Sequence, residues 1–164
     1  MRKWESSGKY KNINKILDII GIILILALVI ITFMYWLNAP DIVPIHYNAR
    51  GEIDGYGSKN TIFFLLSIVI ILYIGLYFLA KYPQIYNYAV KITPVNKEKQ
   101  YNMATTFMRV LNVELVLIFF YIQLKQFTSI SGNNKNLSMA FLPIELMVLF
   151  GAIAFYIYKS IKNK

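Results

Sequence analysis

The run LDIIGIILILALVIITFMYWL, residues 17–37, decides the class of this protein. Its only charge is Asp18, at the start. A helix crossing the roughly 30 Å hydrocarbon core of a bilayer needs about 20 mostly apolar residues. This run has that length and composition. Working outward, three more runs share its character. Residues 61–80 carry no charge until they end, and residues 107–124 and 139–158 complete the set. Tyr35 and Trp36 close the first run, and Tyr156 and Tyr158 close the fourth. Such rings sit well where hydrocarbon meets headgroups. The apolar run of the first span exceeds the 7–15 residues of a signal-peptide core, so the span is expected to be retained.

Composition agrees. Of 164 residues, 57% are hydrophobic and only 15% charged. Soluble domains run at roughly 45–50% apolar and about 25% charged. The expected fold is therefore an all-α integral membrane protein, one domain over residues 1–164. It is a four-helix bundle with an ordered extracytoplasmic loop, residues 38–60, between helices one and two. A longer connection, residues 81–106, joins helices two and three; its part near Lys97 is expected to open helix three.

Seventeen basic residues face eight acidic ones, a formal charge of +9. Thirteen of the basic residues fall in the N-terminal segment, the 81–106 connection with Arg109, and the C-terminal tail. The remaining four are Arg50, Lys59, Lys125 and Lys135. By the positive-inside bias, both termini are expected in the cytoplasm and the 38–60 loop outside, in a cytoplasmic membrane. The basic residues are split among three segments, so the expected partner is the lipid bilayer and not nucleic acid. The chain has no cysteine and one histidine, which removes thiolate metal sites, disulfides and sites needing two imidazoles. No cofactor and no metal are expected.

The outer loop reads APDIVPIHYNARGEIDGYGSK, residues 39–59. Pro40 and Pro44 push their preceding residues to extended conformations, so residues 41–47 should be extended. The Asn48 to Gly51 stretch is a turn signal, and Asp54-Gly55 a second one. Gly51, Gly55 and Gly57 are expected where a side chain would be opposed. Ser58 is placed to cap helix two. Histidine is the side chain that ordinarily titrates nearest neutrality. With Asp41, Glu52 and Asp54, His46 could build a cation site or a polar cluster. The plainer alternative is that His46, Asn48 and Asp54 bond the loop's own backbone. No serine with a base and an orienting acid is evident, so no catalytic residue and no enzyme activity are expected.

The same run resembles the N-terminal domain of SdpI-type bacterial membrane proteins, a domain labelled as being of unknown function. The matching positions are Pro44, His46, Asn48, Gly51, Asp54, Gly57 and Lys59. In that family, too, the domain lies between a first and a second span. The best-described members are immunity proteins that protect a cell from a secreted peptide toxin. They are longer, with additional C-terminal spans, so this chain resembles the short forms. The resemblance implies a non-enzymatic multi-pass membrane protein. It would act in resistance to a peptide toxin or envelope stress, with its loop meeting an extracellular peptide or another membrane protein.

Two acids lie inside later spans: Glu114 mid-way along the third and Glu145 in the fourth. An ionisable group at such depth is costly and faces a partner or a cavity. Asn112 and Arg109 are the nearby candidates to hold Glu114, with Lys135 or His46 for Glu145. The alternative function built on these acids is a small transporter or ion-coupled subunit. Asp18 is expected to favour the positive end of helix one.

Overall fold

The computed structural model describes residues 3–130 and 136–164. Four long helices dominate: α1 (Gly8–Asn38), α2 (Thr61–Leu79), α3 (Lys97–Ser129) and α4 (Phe141–Lys162). All four are long and apolar enough to cross a membrane. The expected all-α class needs one correction. Between α1 and α2 the chain forms an antiparallel hairpin, β1 (Ile42–Tyr47) and β2 (Ile53–Ser58). Two strands suffice because each needs only the other for its ladder, and among the described residues neither outer edge pairs with a third strand. A free edge is where Pro44 is tolerated within a strand.

The helices alternate in direction, so α1 and α3 run parallel, as do α2 and α4. At 1.5 Å per residue, α1 and α3 are about 45–50 Å long and α2 and α4 only about 28–33 Å. The long pair therefore overhangs the short pair. At one end the hairpin fills the overhang. At the other, residues 80–96 pack beside α3, with a 3-10 turn at Pro83–Ile85. There Tyr88 stacks on Tyr101, and Trp4 meets Tyr101 edge-on. Tyr86 and Tyr88 donate to the carbonyls of Leu79 and Pro83. Burial pushes the Tyr86 hydroxyl up to about 12, with Arg109 opposing and Tyr156 adding to the shift.

α3 is the central post and touches all three other helices. Leu28, Leu66, Val69 and Val116 form the buried apolar centre among α1, α2 and α3. A second centre, Tyr35, Ala39, Val43 and Ile62, seats the hairpin on the bundle. Elsewhere the apolar side chains point outward. Ile23, Ile30, Phe64, Ile71, Met147 and Phe155 are all well exposed. The outside is greasier than an aqueous surface allows, and the inside holds Asn14, Gln100, Asn102, Thr105, Asn112, Gln123 and Ser160.

Those polar residues form a seam. Thr106 donates to Asn14 Oδ1 at 2.6 Å, and Asn14 donates to Ser6 and Thr105. Arg109 Nε donates to Asp18 Oδ1 at 2.8 Å, and Nη1 to the Thr105 carbonyl at 3.1 Å. On the α4 side, Ser160 donates to Gln100 Oε1, and Gln100 Nε2 donates to the carbonyls of Ser160 and Asn163. Asp18 thus does not serve the start of α1. The helix begins at Gly8, well before the apolar run, and carries Asp18 deep enough to meet Arg109.

This seam is testable. Arg109→Ala leaves Asp18 half-buried without its partner and should cost about 2–3 kcal/mol. The pair Asp18→Asn with Arg109→Gln should recover most of that loss. Unfolding of the detergent-solubilised chain would measure both; an Arg109→Ala variant as stable as the parent would remove the seam from the account of stability.

Candidate functional site at the hairpin end

The hairpin is built by its own short-range chemistry. Asn48 Oδ1 accepts the amides of Arg50 and Glu52, while Asn48 Nδ2 donates to Glu52 Oε2. The Gly51 amide donates to the Asn48 carbonyl at 2.9 Å, closing the expected turn. Gly51 has φ +78°. A Cβ there would lie 2.6 Å from the Leu137 carbonyl oxygen. Glycine is thus required twice over, by backbone conformation and by space.

The second expected turn, Asp54-Gly55, is not a turn. Both residues lie within β2, and His46 pairs with Gly55 across the ladder. The register slips on both sides of His46. This bulge absorbs Ile45, whose side chain lies over Gly57, where a Cβ would meet Ile45 Cδ1 at 2.8 Å. Gly55 and Gly57 do not have positive φ; among the described residues only Gly8 and Gly51 do. Ser58 does not cap α2: Asn60 holds the N-cap position, and the Ser58 hydroxyl accepts the Asn60 amide in the turn before the helix.

His46 Nδ1 lies 2.6 Å from Asp54 Oδ1. The pair stands out from the hairpin, with side-chain exposures of 70% and 43%. An ionised carboxylate only accepts, so this contact places the imidazole proton on Nδ1. The other loop acids go elsewhere. Glu52 is held by Asn48, and Asp41 lies 3.4 Å from Lys59 Nζ. Among the described residues no three His, Asp or Glu side chains gather around a point that could hold a metal. Lys59 also donates to the Ala39 carbonyl at 3.2 Å, clamping the hairpin's open end to the end of α1.

Three contacts fix the hairpin over the bundle. The buried Gln126 Nε2 donates to the Pro44 carbonyl at 3.1 Å. The Leu137 amide donates to the Gly51 carbonyl at 2.8 Å, and the Ile53 amide to Asn136 Oδ1. Under this roof lies a cleft of about 530 Å³. Its roof includes His46, Tyr47 and Gly51, and its floor includes Phe119, Ile122 and Leu142. That size suits a small ligand or one to two bulky side chains. Tyr47 lines it, and its hydroxyl is buried with no hydrogen-bond partner among the described residues. Burial pushes the Tyr47 pKa up, and Tyr56 adds to the effect.

Residues 22–71 match the family model described as a domain of unknown function (DUF1648). The match spans the second half of α1, the whole hairpin and the first half of α2. No curated protein and no solved structure matches the chain.

The acids of the two later helices form a second, separate feature. Glu114 is buried at 8% exposure, and neither carboxyl oxygen has a partner among the described residues. Arg109 is committed to Asp18, and Asn112 Nδ2 donates to the Tyr73 carbonyl on the opposite side of α3. Neither expected partner holds it. Instead Glu114 faces α4 and lies within electrostatic range of Glu145. Stacks of Tyr121 on Phe141 and Phe107 on Tyr156 flank the two acids along the α3–α4 interface. His46 is tied to Asp54 and does not serve Glu145; Lys135 lies outside the described residues.

Tyr47 and Gln126 are site residues that the motif alone passes over. An aromatic in a strand and a glutamine near a helix end carry no signal until the strand is laid against the helix. Gly51→Ala tests the roof. It should destabilise the hairpin by about 1–3 kcal/mol and release the Leu137 amide to fast hydrogen exchange. Unchanged Leu137 protection would separate the glycine from the docking of residues 136–137.

Proposed function

We propose that this chain is a non-enzymatic immunity or envelope-resistance protein of the cytoplasmic membrane, with both termini inside and the hairpin outside. The orientation rests on the thirteen-to-four division of basic residues between the two ends. The observation that carries the function is the cleft beneath the hairpin. It is largely apolar, opens beside the exposed His46–Asp54 pair, and is walled by the Tyr47 ring. Such a site suits an amphipathic peptide. Apolar side chains would enter below the roof, and the exposed His46–Asp54 pair would meet the peptide's polar face.

The resemblance of residues 44–59 to the SdpI-type loop supports the same reading. The motif supplies the roof of the cleft, and α3 and α4 supply its floor.

Cells expressing the chain, challenged with secreted peptides, provide the test. His46→Ala with Asp54→Ala should lower protection at least about tenfold with membrane abundance unchanged, because both groups are exposed and hold no helix. Full protection by the double variant would sink this role for the pair. Loss of abundance would assign it to folding.

A second reading draws on Glu114, a buried carboxyl without a hydrogen-bond partner among the described residues and with a second acid nearby. This is the arrangement of an ion- or proton-coupled site. In proteoliposomes, Glu114→Gln should then abolish a pH-driven flux that the parent supports. Equal flux from both would remove the transport reading.

A further inference from the structure

The lysine-rich end of the bundle holds a second cleft, unrelated to the hairpin. Its volume is about 550 Å³, and it lies where α1 and α4 stand apart on either side of α3. Three lysines from three different helices surround it: Lys9 of α1, Lys99 of α3 and Lys159 of α4. All three are exposed. None has a carboxylate partner among the described residues, since the ion pairs there are His46–Asp54, Lys59–Asp41 and Arg109–Asp18. None of the described residues lining the cleft is acidic. Like charges converge here with no carboxylate among the described residues to balance them.

Below the lysines the cleft changes character. Ile13, Val110, Ala152 and Phe155 line it, along with the stacked rings of Phe107 and Tyr156. Phe155 and Ile13 also belong to the exposed apolar surface of α4 and α1. The apolar part is thus continuous with the face that the bundle turns to hydrocarbon. An occupant must be anionic at one end and apolar along its length. A soluble phosphate leaves the apolar walls uncovered, and a neutral lipid leaves the lysines unbalanced. Lysine suits a headgroup, since its flexible stem lies along apolar surface while the ammonium stays at the interface.

We propose that this cleft is a binding site for one anionic phospholipid. Its phosphate lies among Lys9, Lys99 and Lys159, and an acyl chain lies between α1 and α4 over Phe107. The lipid fills the gap that the two helices leave and so links α4 to α1. This goes beyond the peptide-binding reading and does not depend on it.

Native mass spectrometry of the full chain in detergent, with dioleoyl phosphatidylglycerol and dioleoyl phosphatidylcholine added in equal amounts, tests the site. The parent should retain phosphatidylglycerol at least about tenfold better. The triple variant Lys9→Gln, Lys99→Gln, Lys159→Gln should fall to near parity, with each single variant losing about fivefold. A control triple, Lys11→Gln, Lys15→Gln, Lys162→Gln, removes the same charge away from the cleft and should keep the preference within about twofold. Millimolar glycerol phosphate should not displace the bound lipid. Three results would each overturn the proposal: parity in the parent, equal loss in the control triple, or displacement by glycerol phosphate. The last would mean that the lysines hold an anion alone.

Discussion

Leucine and isoleucine pack as well against lipid tails as against another helix, so apolar spans do not choose their neighbours by hydrophobicity. Here the choice is made by polar groups with few other places to go. Asn14, Asp18, Thr105, Thr106 and Arg109 find one another along α1 and α3, and Gln100 and Ser160 tie α4 to the same post. Individually such bonds are modest, on the order of 0.6 kcal/mol in measured membrane cases. Their weight lies in register. Sliding α3 by one turn would leave an Arg, an Asp and two Asn without partners in an apolar surround. Everything else hangs on that register, including the level at which the hairpin sits and the faces that line both clefts.

The spans were legible because twenty apolar residues have few alternatives. Their ends were legible in part. α3 opens at Lys97, as the residues there announced, but α1 starts at Gly8, well before its apolar run, because its polar first turns are helical against α3. Hydropathy counts such turns as loop. The hairpin was half legible. Pro40 and Pro44 announced extension, and Asn48 to Gly51 announced its turn. Asp54-Gly55 misled because the same dipeptide serves a turn or a bulged strand, and the bulge depends on where Ile45 lands across the ladder. The pairing of Glu114 with Arg109 failed for a similar reason. Spacing along one helix cannot say which side α1 occupies, and α1 takes the arginine.

Of the seven motif residues in the loop, five bind the loop to itself or to the bundle. Pro44 accepts Gln126, Asn48 closes the turn, Gly51 and Gly57 make room, and Lys59 clamps the open end. That leaves the His46–Asp54 pair as the part of the motif directed to solvent. A rigid roof with one exposed polar pair separates two duties. Most of the motif sets the shape of the cleft, and a small remainder is free to meet something else.

The parallel pairing of α1 with α3 also constrains the order in which the molecule is made. Ninety-one residues separate Asp18 from Arg109. At roughly 5–20 residues per second of synthesis, α1 waits on the order of 5–20 s for its partner. Through that interval the one other long helix already made is α2, which has no charged residue to offer. Asp18 lies near one end of its apolar run, where an unpaired carboxylate can remain in water. The seam is thus placed where its first half can wait in solvent until the second half is synthesised.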